Sequence, residues 1–381
     1  MNVKFQHIVS IIRNRYGNEY IPLHAPVFRG NEKVYANNAI DSTFVSSVGE
    51  YVNLAEKMLA DYTGAKYAVA TGNGTAALHA ALILANVQSN DLVIMQPFTF
   101  VATANAIAYC HAEPVFIDID KDTLGLSPEK LSNFLNDETI LDSKGNCIHK
   151  ASGKTIRACV PMHSFGLMCR IEEIAKICKK HHIFLIEDAA ESIGSYYNNI
   201  HSGLIGQLGT LSFNGNKTIT CGGGGAIITN DENLAKRAKH ITTTAKVPHQ
   251  WEFFHDEIGY NYRLPNINAA LLCAQIEQLD AFLKNKEETA HNYHQAFLQI
   301  GINFPQAITN TKSNYWLNCV LLDNREDRDE FLKYSNENGV MTRPAWTLMN
   351  KLPMFKNSIC ENIENAIDLE NRLVNIPSGV L

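Results

Sequence analysis

Between residues 64 and 230, short β-branched runs alternate with stretches of helical periodicity, and no other feature restricts the fold of this chain as much. Strands are predicted at 66–70, 92–95, 114–118, 157–162, 183–187, 210–213 and 226–229, with helices at 75–85, 127–135 and 170–181 between them. Ser127 followed by Pro128 marks one helix start, since the hydroxyl caps a free N–H and proline fits the first turn. A mostly parallel sheet covered by helices on both faces satisfies this pattern. Beyond Pro265 the spacing predicts one long helical stretch, 266–300, then a strand at 315–322, a helix at 325–338 and a strand near 340–343. The expected organisation is an N-terminal helix and arm (1–30, with an amphipathic helix over 3–15), a large α/β domain (31–265) and a smaller C-terminal α/β domain (266–381) that opens with the bridging helix. At 381 residues and 45% apolar composition the chain has material for both cores.

Composition excludes several classes of partner. A net charge of -6 offers no general attraction to nucleic acid or to an anionic membrane surface. The nine cysteines are scattered, with no C-x-x-C pair and no His/Cys cluster at zinc spacing, so reduced thiols and no metal are expected. Arg13 and Arg15 follow the short apolar stretch 8–12 instead of preceding it, and no apolar run reaches membrane-spanning length. The expected location is the cytoplasm.

In open parallel sheets, ligands bind beyond the carboxyl ends of the strands. Residues 71–75, 98–100, His163, Asp188 and Lys217 each follow a predicted strand and should share one rim. Thr71-Gly72-Asn73-Gly74-Thr75 runs straight into a helix, whose free N–H groups and positive dipole end suit a phosphate. Phe100 offers a face for a planar ring, although a core aromatic is the default for such a segment. Asp188 ends a hydrophobic strand; a carboxylate there either caps a helix or keeps a pyridine nitrogen protonated. Lys217 closes Ser212-Phe213-Asn214-Gly215-Asn216-Lys217, just before the four glycines 222–225. An amine in that place can hold an aldehyde cofactor as a Schiff base, and with the phosphate turn and Asp188 upstream the reading becomes an enzyme of pyridoxal 5′-phosphate (PLP).

The assembled motifs resemble those of the DegT/DnrJ/EryC1/StrS sugar aminotransferases: Asn73-Gly74-Thr75-Ala76-Ala77-Leu78, Thr99-Phe100-Val101-Ala102-Thr103-Ala104-Asn105, Glu187-Asp188-Ala189-Ala190, Ser212-Phe213 through Lys217, and Gly259-Tyr260-Asn261-Tyr262-Arg263. The resemblance covers nearly the whole chain and implies the fold-type-I architecture of PLP-dependent transferases. Within the family, the stretches 42–51 and 242–249, Met341-Thr342-Arg343-Pro344 and 346–351 are most similar to the LegC-type branch of legionaminic acid pathways. The resemblance implies catalysis by Lys217 and Asp188, stacking of Phe100 on the ring, and Glu191 near the ring hydroxyl. It further implies phosphate contacts from Gly74, Thr75 and Ser212, and from Asn261 of a neighbouring subunit, hence a homodimer. His163, Trp316 and Arg343 are candidate substrate contacts.

The implied reaction moves an amino group from L-glutamate to C4 of a UDP- or GDP-linked 4-keto-6-deoxy-N-acetylhexosamine; bacillosamine- or perosamine-type enzymes of the family are the alternative. Two rivals stand outside that class. A nicotinamide-dependent sugar oxidoreductase would need a complete G-x-G-x-x-G, but the third glycine position is Ala77. A non-catalytic PLP-binding regulator gains little support from a chain with an intact Lys217 and no basic DNA-binding extension.

Overall fold

The computed structural model describes residues 3–381. Its main sheet contains β1 (Tyr67–Thr71), β2 (Leu92–Met95), β3 (Glu113–Phe116), β4 (Ile156–Cys159), β5 (Phe184–Asp188), β6 (Leu208–Ser212), β7 (Gly225–Thr229) and β8 (Ile359–Cys360). They lie in the order β1-β7-β6-β5-β4-β2-β3-β8. Only β7 runs against its neighbours, β1 and β6; all other pairings are parallel. Strands β1 to β7 fall within a few residues of their predicted positions. Two-residue β8 carries no periodicity, and it reaches the sheet from near the C-terminus.

The β2 side chains show why the sheet is covered twice. Successive residues point to opposite faces, so Val93 and Met95 enter one core while Leu92 and Ile94 enter the other. Helices Gly74–Leu84 and Val101–Tyr109 close the first core, Pro128–Glu138 and Ile171–Lys180 the second. Each such aliphatic side chain withdrawn from water contributes about 1.5–3 kcal/mol, so a charge at Ile94 would break the layer. Ser127 caps its helix as expected, its Oγ accepting from the Lys130 N–H, with Pro128 in the first turn.

The stretch expected as one helix over 266–300 is two, Asn266–Ile276 and Leu279–Gln299. The break falls where the amides of Gln275 and Gln278 both donate to Glu32 Oε1, each at 2.6 Å, which fastens the first helix to Glu32–Asp41. The later helix enters a further core with Val3–Tyr16 and Arg325–Glu337, built on Phe5, Ile8, Ile12, Tyr293, Phe297 and Phe331. Their partner is a three-stranded antiparallel sheet, Asn318–Leu321, Leu373–Ile376 and Arg343–Pro344, with Leu373–Ile376 in the middle. Two expected strands shorten here. Tyr315 takes a left-handed conformation (φ 45°), which ends extended pairing before Trp316, and Val340 bridges Ile21. Among the described residues no helix is long and apolar enough to cross a membrane, and all nine cysteines are free.

Candidate active site

The carboxyl ends of β1, β2, β4, β5 and β6 open on one cleft of about 340 Å³. At one end, β1 turns into helix Gly74–Leu84, with Asn73 Oδ1 accepting from the Ala76 N–H at 2.8 Å. That leaves the first N–H groups of the helix, at Gly74 and Thr75, facing the cleft beside Ser212. The approach is close enough to demand glycine. A Cβ on Gly74 would stand 2.9 Å from Ser212 Cβ, and one on Gly225 would stand 2.5 Å from the Asn73 carbonyl carbon. The glycine run before β7 therefore seats the turn as well as linking two strands.

Asp188 lies at the floor, 2% exposed. Its Oδ2 accepts from Thr103 Oγ1 at 2.7 Å and its Oδ1 from the Ala190 N–H at 3.1 Å. Burial pushes the carboxyl upward despite these donors and nearby Lys217, so a cation or protonated ring nitrogen would be strongly favoured against it. Phe100, at the cap of helix Val101–Tyr109, lines the same cleft and is 51% exposed, far more than a core aromatic. The structure thus frees the face that its segment alone would bury.

The Lys217 amine is drawn inward. Its Nζ lies 3.2 Å from Glu191 Oε1 and 4.0 Å from the centre of the Trp316 ring, and its side chain is 12% exposed. Trp316 Nε1 donates to the Asn216 carbonyl at 2.6 Å, fixing the backbone next to Lys217. Burial raises Glu191 to about 7, against the opposing pull of Lys217 and of the Phe165 N–H, which donates at 2.9 Å. A helix N-terminus, an exposed aromatic face, a buried carboxylate and an enclosed amine in one cleft fit PLP.

Two expected substrate contacts, His163 and Arg343, lie outside the lining of this cleft. His163 is fully buried beneath the rim, its Nε2 2.9 Å from Glu187 Oε2 and its Nδ1 taken by Cys169. Burial opposes a charge on that ring, but Cys169 and the Glu187 carboxylate outweigh it and hold the imidazole above its usual range. The pair braces β4 against β5, since Glu187 also accepts from the N–H groups of Gly203, Ile205 and Gly206. Arg343 is exposed, bonded to Asn336 Oδ1 and the Thr342 carbonyl, and lines no part of the cleft. Trp316 does line it. Asn261 is exposed, accepts from Arg263 Nε at 3.1 Å, and stands apart from the cleft of its own chain.

Sequence reasoning missed Thr103 and Trp346, which also line the cleft. Thr103 was within reach, lying one helical turn after Phe100 on the same face. Trp346 lies in an irregular segment after the strand Arg343–Pro344, where no periodicity points to it.

The profile of the DegT/DnrJ/EryC1/StrS aminotransferase family matches residues 27–381. GDP-perosamine synthase of Escherichia coli O157:H7 is 34% identical over 360 residues, 94% of this chain and 93% of its own length. The UDP-2-acetamido-2-deoxy-3-oxo-D-glucuronate aminotransferase of Pseudomonas aeruginosa is 32% identical over 308 residues, 80% and 79% of the two chains. A crystal structure of a DegT DnrJ EryC1 StrS aminotransferase from Brucella abortus is 26% identical and superposes with a TM-score of 0.82, covering 91% of this chain and 90% of that one. With the lysine, the aspartate and the phosphate turn in one cleft, this chain belongs to the DegT/DnrJ/EryC1/StrS aminotransferase family and is a PLP-dependent enzyme.

Proposed function

We propose that this enzyme transfers the amino group of L-glutamate to C4 of a nucleotide-linked 4-keto-6-deoxy-N-acetylhexosamine, giving a 4-amino-4,6-dideoxy sugar for a legionaminic-type surface glycan. The observation that carries the reading is the Lys217 amine, enclosed between Glu191 and Trp316 in the cleft that also holds Asp188. Relatives named for a GDP-sugar and a UDP-sugar support a nucleotide-linked acceptor. The LegC-like stretches support the N-acetylated, 4-keto substrate. Identity to GDP-perosamine synthase favours a second reading, a perosamine-type enzyme acting on a GDP-linked sugar.

Bound PLP supplies an electron sink for the charge that develops at the reacting carbon. In this assignment Gly74, Thr75 and Ser212 hold its phosphate, Phe100 covers its ring, Asp188 faces its nitrogen and Glu191 stands by its hydroxyl. Lys217 Nζ takes and returns the proton at the substrate carbon, and its neighbours keep it within reach. Thr103 and the Ala190 N–H fix the Asp188 carboxylate so that both oxygens cannot turn away. Met162, Trp316 and Trp346 give that proton transfer an apolar, water-poor surround. The working form in this proposal is a cytoplasmic homodimer in which Asn261 reaches the partner's phosphate site. Its exposure supports that role, as does the apolar surface nearby: Trp251, Phe253 and Ile258 are 70%, 82% and 84% exposed.

Incubation with PLP, L-glutamate and a panel of UDP- and GDP-linked 4-keto sugars, read by mass spectrometry, tests the reading. A mass change for replacement of the keto oxygen by an amine on the N-acetylated sugar supports it; product only on a GDP-linked sugar lacking that group moves the assignment to the perosamine type. Lys217→Ala is expected to abolish turnover and borohydride fixation of the cofactor. Retained transamination would refute the role given to that amine.

A further inference from the structure

The residues assigned to the cofactor leave part of the cleft wall unused, and two tryptophans stand in that part. Of the three tryptophans in the chain, two, Trp316 and Trp346, line this one cleft. Trp316 is committed: its indole N–H is bonded to Asn216 and its face lies by the Lys217 amine. Trp346 has no hydrogen-bonding task of that kind. It is half-buried, and aromatic neighbours hold it. Phe165 stacks on it with ring centres 4.7 Å apart and planes 19° apart, and Phe98 meets it edge-on at 5.7 Å and 70°. Phe165 takes a left-handed conformation (φ 58°) that is costly for a side chain of its size, and the same turn aims its N–H at Glu191. Beyond Trp346 the segment is tied down by the Leu348 N–H to Glu370 Oε1 and the Met349 N–H to the Pro97 carbonyl.

We propose that Trp346 is a stacking platform for the sugar ring of the substrate and a determinant of its selection. The inference rests on the nucleotide-sugar reading above and deepens it. A pyranose presents a face of C–H groups with hydroxyls at its edge, and a fixed indole matches such a face at little conformational cost. A 6-deoxy sugar adds a methyl group, which favours an apolar wall further. Position decides between sugar and base as the stacked group. The carbon that reacts belongs to the sugar and must reach Lys217, so the ring within the same small cleft as Lys217 and Trp346 is the sugar, while the nucleotide extends outward.

Trp346→Ala and Trp346→Phe test this in the PLP-loaded enzyme. Calorimetry measures affinity for UDP- and GDP-linked 4-keto-6-deoxyhexosamines and for UDP and GDP alone, and stopped-flow absorbance follows the glutamate half-reaction. The alanine variant should lose about tenfold or more in affinity for the keto sugar accepted by wild type, several times more than it loses in the glutamate half-reaction. The phenylalanine variant, which keeps the stack on Phe165, should recover most of that affinity. Equal losses in sugar binding and the glutamate half-reaction would reduce Trp346 to a structural part, and a matching loss for UDP or GDP alone would make it a base platform; either overturns the proposal. Unchanged sugar affinity in Trp346→Ala, beside wild-type turnover, overturns the platform alone. A wild-type enzyme that ignores every nucleotide sugar overturns the functional reading and the platform together.

Discussion

Replacing Glu191 by Gln should make the cofactor-free protein less sensitive to pH, and the structure sets the size of the change. Glu191 is almost wholly buried, with Lys217 Nζ on one oxygen and the Phe165 N–H on the other. Burial, the largest influence, moves its pKa from 4.5 to about 7. A carboxyl raised in the folded state binds more protons folded than unfolded between those two values, so stability falls as pH rises through that window. The displacement corresponds to about 3 kcal/mol, full above pH 7 and absent below pH 4.5. Glutamine keeps an oxygen for the Phe165 N–H and has nothing to ionise. Urea unfolding at one fixed protein concentration, from pH 4.5 to 8, should therefore show Glu191→Gln gaining on wild type by about 3 kcal/mol as pH rises. Parallel stability curves for the two proteins across that range would refute the argument, because they would mean that the buried carboxyl titrates as it does in water.

The other predictions concern the supports of the cleft. Lys286 is fully buried and donates to the carbonyls of Trp316 and Ser378 beside His24 Nε2, and burial pulls its pKa from 10.5 to about 7. A base depressed in this way holds its proton longer unfolded than folded, so stability should rise between pH 7 and 10.5 by up to about 5 kcal/mol; Lys286→Met should flatten that rise in thermal or urea unfolding. Gly225→Ala drives a Cβ into the Asn73 carbonyl and should weaken PLP binding at least tenfold by absorbance titration, for about 1–3 kcal/mol of overpacking. Gly223→Ala, whose nearest obstacle is 3.7 Å away, is the control and should bind PLP within a few-fold of wild type. Thr103→Val takes the hydroxyl donor from buried Asp188 and should cost about 1.5–3 kcal/mol in PLP affinity, read in the same titration.

Strand ends in a parallel sheet are local events, and for that reason much of the cofactor site can be read from sequence. Asp188 is the last residue of β5, delivered by the apolar run Phe184-Leu185-Ile186, and Ser212 is the last residue of β6. Gly74 and Thr75 start a helix directly after β1. Where position depends on packing between distant segments, sequence reading fails in a physical way. His163 follows a strand just as Asp188 does, but Glu187 of β5 takes its Nε2 in a buried hydrogen bond. Nothing near His163 in sequence announces that partner. The strand Leu373–Ile376, central in the three-stranded sheet, was missed because it is four residues long and fully buried, so it shows no alternation.

The two halves of the cleft therefore differ in how they are held, and the difference bears on specificity. The cofactor half sits on the sheet, where Thr103, the Ala190 N–H and the glycine-seated turn fix each group locally. Trp316 and Trp346 come instead from the C-terminal part of the chain, which contacts from both chain ends brace. Tyr16 and Tyr293 hydroxyls donate to the Gly379 and Pro377 carbonyls, and Lys286 joins His24, Trp316 and Ser378. Any shift of that brace moves Trp316 over Lys217 without touching Asp188. Substitutions at Tyr16 or Lys286 should then alter the acceptor half-reaction more than PLP affinity, whereas Thr103 and Gly225 should do the reverse. On the proposed assignment, proton transfer belongs to the sheet side of the cleft and the choice of acceptor to the braced wall opposite it.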